Sequence, residues 1–197
     1  SDWMHNPCNL LKNIKKNIKY GWTDTKLIDI TNTLPTVQRV GVANKFRYED
    51  YTITVGKALA KGSYGSVLAG TKNGKDIVVK VLLVTDPVEF MTETMIQTEL
   101  YCAMTNKWGT GARIPKIEFV CAFEGIGNKR QFMVGMENMD GVGIIVKKPE
   151  QYQDPMHHTR DIAVLLQKLQ KEFSFMHRDL HQRNIMWKTT NGKKTMY

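Results

Sequence analysis

At 197 residues, with 42% hydrophobic and 24% charged side chains, the chain has the make-up of a folded globular protein rather than a disordered tail. No apolar run approaches the ~18 residues that cross a bilayer, and Ser1-Asp2-Trp3 lacks the layout of a secretory leader. A net charge of +9 favours anionic partners, but no basic stretch has the pattern of a nucleic-acid-reading module, so a solvated basic surface is the simpler expectation.

Residues 1–50 are expected to form a basic N-terminal extension. Within 10–19, Leu10, Leu11, Ile14 and Ile18 recur at helical spacing while Lys12, Lys15, Lys16 and Lys19 fill the other positions. Such a basic amphipathic helix more often packs on its own protein than docks on nucleic acid or an anionic membrane. Cys8, Cys102 and Cys121 are widely spaced and odd in number. They form neither a metal-ligand pattern nor a disulfide framework, so a reducing intracellular compartment, cytoplasm or nucleus, is expected.

From Tyr51 the pattern is that of strands, over Tyr51–Ala60, Ser66–Thr71 and Asp76–Leu83, with Asn73-Gly74 supplying a tight turn between the second and third. Gly62 and Gly65 mark the turn between the first two. Asp86-Pro87-Val88-Glu89 reads as a helix start, with Asp as cap, Pro in the first helical position and Glu three residues after the cap. This helix is expected to reach about Thr105. Ile117–Phe123 and Arg130–Met136 read as a strand pair around Gly125 and Gly127. Arg160–Phe173 carries Ile162, Leu165, Leu166 and Leu169 on one helical face. Ile185–Thr189 and Lys194–Tyr197 read as a hairpin about Asn191-Gly192.

Between that last helix and the hairpin lies His177-Arg178-Asp179-Leu180-His181-Gln182-Arg183-Asn184, the H-R-D-L-x-x-x-N pattern of a kinase catalytic loop. Upstream, in the matching order, stand Ala60-Lys61-Gly62-Ser63-Tyr64-Gly65-Ser66-Val67 and Ile77-Val78-Val79-Lys80. From about Tyr51 to Tyr197 the chain therefore resembles a eukaryotic-type protein kinase. With His181, the loop is similar to those of haspin-like kinases and kinases of large DNA viruses. The resemblance implies an α+β, protein-kinase-like fold: an antiparallel-sheet N-lobe with one long helix and a hinge over 51–141, then the start of a helical C-lobe over 142–197.

It also implies roles. Asp179 would orient the acceptor hydroxyl of a protein substrate, and Asn184 would hold Mg2+ beside ATP. Gly62, Ser63 and Gly65 would approach the phosphates, with Ala60 standing where the family has its first glycine. Lys80 would neutralise the α- and β-phosphates. Val67, Val78 and the gatekeeper Met136 would line the adenine slot, and the backbones of Glu137 and Met139 would bond its edge. Lys80 needs a carboxylate from the following helix, for which Glu89, Glu93 and Glu99 are the candidates. Glu99 has Met95, Ile96, Cys102 and Ala103 for neighbours and is expected to be the partner, whereas Glu93 is expected to face water.

The second metal-binding Asp of a D-F-G segment is not found within Ile185–Tyr197. The 197 residues are thus expected to be an incomplete kinase domain, inactive alone, with an apolar face that a protein partner would cover. An alternative is an inactive kinase-fold protein serving as a structural or binding subunit, for instance of a viral particle. A small-molecule phosphotransferase of the aminoglycoside-kinase type ranks last, because those proteins usually have Gly where Arg178 stands.

Overall fold

A computed structural model of the chain describes residues 2–9, 23–41, 44–61, 65–82, 87–108, 113–139, 141–142, 155–173, 186–190 and 193–196. The described residues form two units, Ser1–Asn138 and Met139–Tyr197.

The first unit opens with a short helix α1 (Asp2–His5) and a second helix α2 (Asp24–Thr33). Thr23 caps α2, its hydroxyl accepting from the Lys26 N–H at 3.3 Å. Strands β1 (Thr36–Arg39), β2 (Lys45–Tyr48), β3 (Tyr51–Lys61), β4 (Gly65–Lys72) and β5 (Lys75–Leu82) follow, then helix α3 (Pro87–Trp108), β6 (Ile117–Glu124) and β7 (Arg130–Glu137). The β4–β5 turn is made by Asn73 and Gly74 at φ of 51° and 80°, the left-handed pair that a two-residue hairpin requires.

These strands close into a barrel in the order β1-β2-β3-β4-β5-β7-β6, with β6 returning to pair with β1. Six of the seven pairings are antiparallel, and the closing one is parallel, with Thr36 opposite Ala122 and Val37 opposite Phe123. The barrel overturns the expected kinase-like fold, an antiparallel N-lobe sheet joined to a helical C-lobe. The cause lies in residues read as an extension. Val37 and Phe46 each bury one side chain of a four-residue strand in the barrel interior, and those two strands seal the sheet's open edge.

Strand alternation divides the apolar residues into two cores. Inside the barrel lie Val37, Phe46, Ile53, Val55, Ile77, Val79, Phe119, Cys121, Phe123 and Met133. Outside it, helices α2 and α3 lay Leu27, Ile30, Phe90, Met91 and Met95 against Leu82, Ile117, Val120, Phe132 and Val134. Arg130 ties α2 to the barrel by donating through Nη2 to the Thr31 and Leu34 carbonyls, each at 3.1 Å, at the helix's C-terminal end.

The N-terminal residues belong to this unit as well. Met4 sits wholly buried in the interior core and Trp3 in the outer one. Cys8 and Cys102 form a disulfide, with a Cα–Cα distance of 5.7 Å, contrary to the expectation that the cysteines stay reduced. Their 94-residue separation concealed that both the N-terminal segment and α3 pack on the same barrel. The Leu10–Lys19 amphipathic stretch lies outside the described residues.

The second unit has a three-stranded antiparallel sheet of β8 (Gly141–Val142), β9 (Met186–Thr190) and β10 (Lys193–Met196), in the order β10-β9-β8. Its helix α4 (Pro155–Phe173) buries Ile162, Leu165 and Leu169, three residues of the predicted face. Among the described residues no helix is long and apolar enough to cross a membrane.

Candidate functional site

β5 places Ile77 and Val79 inside the barrel, which turns Val78 and Lys80 outward. Residues directly opposite on antiparallel neighbours share a face, so the register builds two rows across β4, β5 and β7. One row is Val67, Lys80, Val134 and the other Ala69, Val78, Met136. Val67, Val78, Lys80 and Met136, which the resemblance assigns to a nucleotide, thus stand on one outer face of three adjacent strands.

Lys80 Nζ donates to Glu93 Oε2 of α3 at 2.8 Å. The partner differs from the expected Glu99. Helix α3 buries Phe90, Met91, Thr94, Met95 and Thr98 along one stripe. The two threonines are tolerated there because their hydroxyls donate to carbonyls four residues back, Phe90 at 2.8 Å and Thr94 at 2.7 Å. The buried stripe thus runs through Thr94 and Thr98, while Ile96, a neighbour on which the expectation for Glu99 rested, is exposed. Six residues apart, Glu93 and Glu99 sit about 120° from each other around the axis, on opposite flanks of the true stripe. Glu93 does face water, with a side chain 62% exposed, and it reaches Lys80 from that edge; Glu99 is partly buried on the other. The stripe leaves a glutamate on each flank, and it is the seating of α3 on the sheet that brings Glu93 rather than Glu99 to Lys80.

With Lys80 itself 32% exposed and Glu93 62%, the pair contributes only about 0–1 kcal/mol to stability. Its ammonium carries three N–H donors, of which one carboxylate oxygen engages one. What remains suits an anion, and the flanking rows of Val67, Ala69, Val78 and Met136 offer it an apolar neighbour.

Gly65 has a structural cause of its own. A Cβ there would meet the Val81 carbonyl oxygen at 2.0 Å, so the close approach of β4 and β5 demands glycine whether or not a phosphate is near. Glu137 is also tied into the fold. Its N–H donates to the Lys116 carbonyl at 2.8 Å, and its carboxylate accepts from the Lys116 N–H at 3.4 Å. Met139 falls in the second unit, half-buried. Gly62, Ser63, Asp179 and Asn184 lie outside the described residues.

No protein-family model matches the sequence, and no curated protein matches it either. Among the described residues no group of three or more His, Cys, Asp or Glu could hold a metal ion. Asn184, the residue that the resemblance assigns to Mg2+, is not among them.

Two other polar features belong to the barrel's architecture. A surface cavity of about 260 Å³ is lined by Val40, Lys45, Arg47, Glu49, Asp50 and Thr52, where two cations face two carboxylates. At one end of the barrel Lys72 donates to the carbonyls of Met4 and of Glu118, the latter at 3.3 Å, and lies 4.7 Å from the Tyr51 ring centroid. Burial holds the Lys72 ammonium below its ordinary pKa, partly opposed by the charge of Glu118. Glu118, itself nearly buried, is paired with Lys75 at 3.0 Å.

Proposed function

We propose that this chain is a protein kinase by type, binding Mg-ATP over the outer face of β4, β5 and β7 for phosphoryl transfer to a Ser/Thr or Tyr hydroxyl of a protein. The observation that carries the reading is the Lys80–Glu93 ion pair on the same face as Val67, Val78 and Met136. A lysine held by a helical carboxylate beside an apolar strand face suits a triphosphate joined to a flat base. The reading rests on this constellation and on the His177–Asn184 motif, not on the architecture. In it, Glu93 holds the Lys80 amine in place, aimed at the phosphates. Val78 and Met136 pack against the base, and the Glu137 carbonyl accepts from its edge. Asp179 takes the acceptor proton, and Asn184 would hold the metal that offsets charge on the phosphates.

A second reading, an inactive binding or structural subunit, draws support from Gly65, which the strand packing explains without a nucleotide. Calorimetric titration with Mg-ATP separates the two. The kinase reading expects a dissociation constant in the range of about 1 μM to 1 mM and a loss of about tenfold or more in Lys80→Ala. A chain that binds no nucleotide at millimolar concentration belongs to the second reading.

A further inference from the structure

The disulfide has a setting that a simple cross-link does not need. Residues 2–9 lie over the end of the barrel, with Met4 in the interior core and Trp3 in the outer one. The Lys72 amine donates to the Met4 carbonyl, and His5 Nδ1 shares a 2.7 Å hydrogen bond with the Tyr51 hydroxyl. Against these stand the exposed His5 side chain and the brevity of a four-residue helix, which has no stability of its own. The covalent bond from Cys8 to Cys102 adds a tie between this plug and α3 beside the burial of Trp3 and Met4. Both sulfurs belong to half-buried residues, whereas Cys121 is wholly buried in the barrel.

We propose that the Cys8–Cys102 disulfide is a redox-sensitive latch, whose reduction releases residues 2–9 from the end of the barrel while the barrel itself stays folded. The reductant is a low-molecular-weight thiol of the glutathione class. Its thiolate bonds to one sulfur and the other leaves as a thiolate; a second thiol then resolves the mixed disulfide. Two small thiols are oxidised to one disulfide as the two protein thiols form. Release exposes the Met4 side chain and returns the Lys72 amine to water, so that the end of the barrel opens.

The test uses the full chain equilibrated in oxidised or reduced glutathione. Alkylation in denaturant is expected to label one cysteine of the three in the oxidised sample and all three in the reduced one. Hydrogen exchange followed by mass spectrometry then reads the plug. Reduction is expected to speed exchange in a peptide covering residues 2–9 by about tenfold or more, with β5, β6 and β7 within about twofold of their oxidised rates. Labelling of all three cysteines in the oxidised sample would overturn the proposal. So would unchanged exchange in the plug, or a loss of protection across the whole barrel, which would make the bond a global staple.

Discussion

Gly135 offers a test of the barrel's packing, because it lies on β7 between Val134 and Met136, which end the two rows of the candidate site. A Cβ built there would stand 2.1 Å from Phe119 Cε1 and 2.6 Å from two more ring atoms. Carbon atoms in contact prefer about 3.5–4.0 Å, so roughly 1.4 Å of overlap must be relieved. Phe119 has no exposed surface and is enclosed by the interior core, so the ring has nowhere to turn without displacing β6 or β7. Overpacking of this kind costs about 1–3 kcal/mol, and the enclosed ring puts Gly135→Ala at the upper end. Removing glycine from a strand returns about 0.5–1 kcal/mol, leaving a net loss of about 2 kcal/mol. With a urea m-value near 2 kcal/mol/M, the unfolding midpoint should fall by about 1 M at unchanged m. Far-ultraviolet circular dichroism, which follows the barrel's strands and helices, reports that transition. Phe119→Leu removes the atoms responsible, so the double variant should recover at least about 1 kcal/mol relative to the sum of the two single losses. A midpoint for Gly135→Ala within about 0.2 M of the parent, or strictly additive losses, would refute the packing argument.

Other outcomes follow from the same geometry. Glu93→Gln should weaken Mg-ATP binding several-fold, by about 1 kcal/mol, while Glu99→Gln should leave it nearly unchanged; equal losses would undo the assignment of Glu93. Arg130→Ala gives up two charge-assisted bonds to the end of α2 and should cost about 1–2 kcal/mol in urea unfolding, with Arg130→Lys restoring only part. Lys72 yields a pH dependence whose sign is fixed. Its folded pKa lies below the ordinary 10.5, so between those two values the unfolded chain binds more protons than the folded one. Stability contributed by this group therefore rises with pH across that window. Relative to Lys72→Met, the parent should gain stability as pH climbs toward 10.5, and a constant difference in midpoint from neutral pH upward would contradict the buried amine.

The parts legible in the sequence were those with a local cause. The strands from Tyr51 onward, the Asn73-Gly74 turn and the long helix after Pro87 follow from alternation, left-handed turn residues and capping chemistry, and they appear within a few residues of their expected bounds. The closure of the barrel was not legible. Thr36–Arg39 and Lys45–Tyr48 each offer a single inward apolar residue, too few for a period to register, and the parallel pairing of β1 with β6 joins residues more than eighty positions apart. The same distance hid the Cys8–Cys102 bond. At the candidate site, the register of β4, β5 and β7 puts Val67, Val78, Lys80 and Met136 on one face, a grouping the sequence carries only through its kinase resemblance, and the carboxylate that reaches Lys80 is Glu93 rather than the expected Glu99. Choosing it required knowing how α3 seats on the sheet, with Thr94 and Thr98 turned inward as their own backbone hydrogen bonds make possible.

Isothermal titration of the chain with Mg-ATP, repeated with Lys80→Ala, asks whether Lys80 and the strand face around it receive a nucleotide, since an exposed ion pair can be removed with little effect on folding. Saturable binding between about 1 μM and 1 mM, weakened about tenfold or more by the substitution, is the predicted result. Binding that is absent at millimolar ATP, or indifferent to Lys80→Ala, would contradict it.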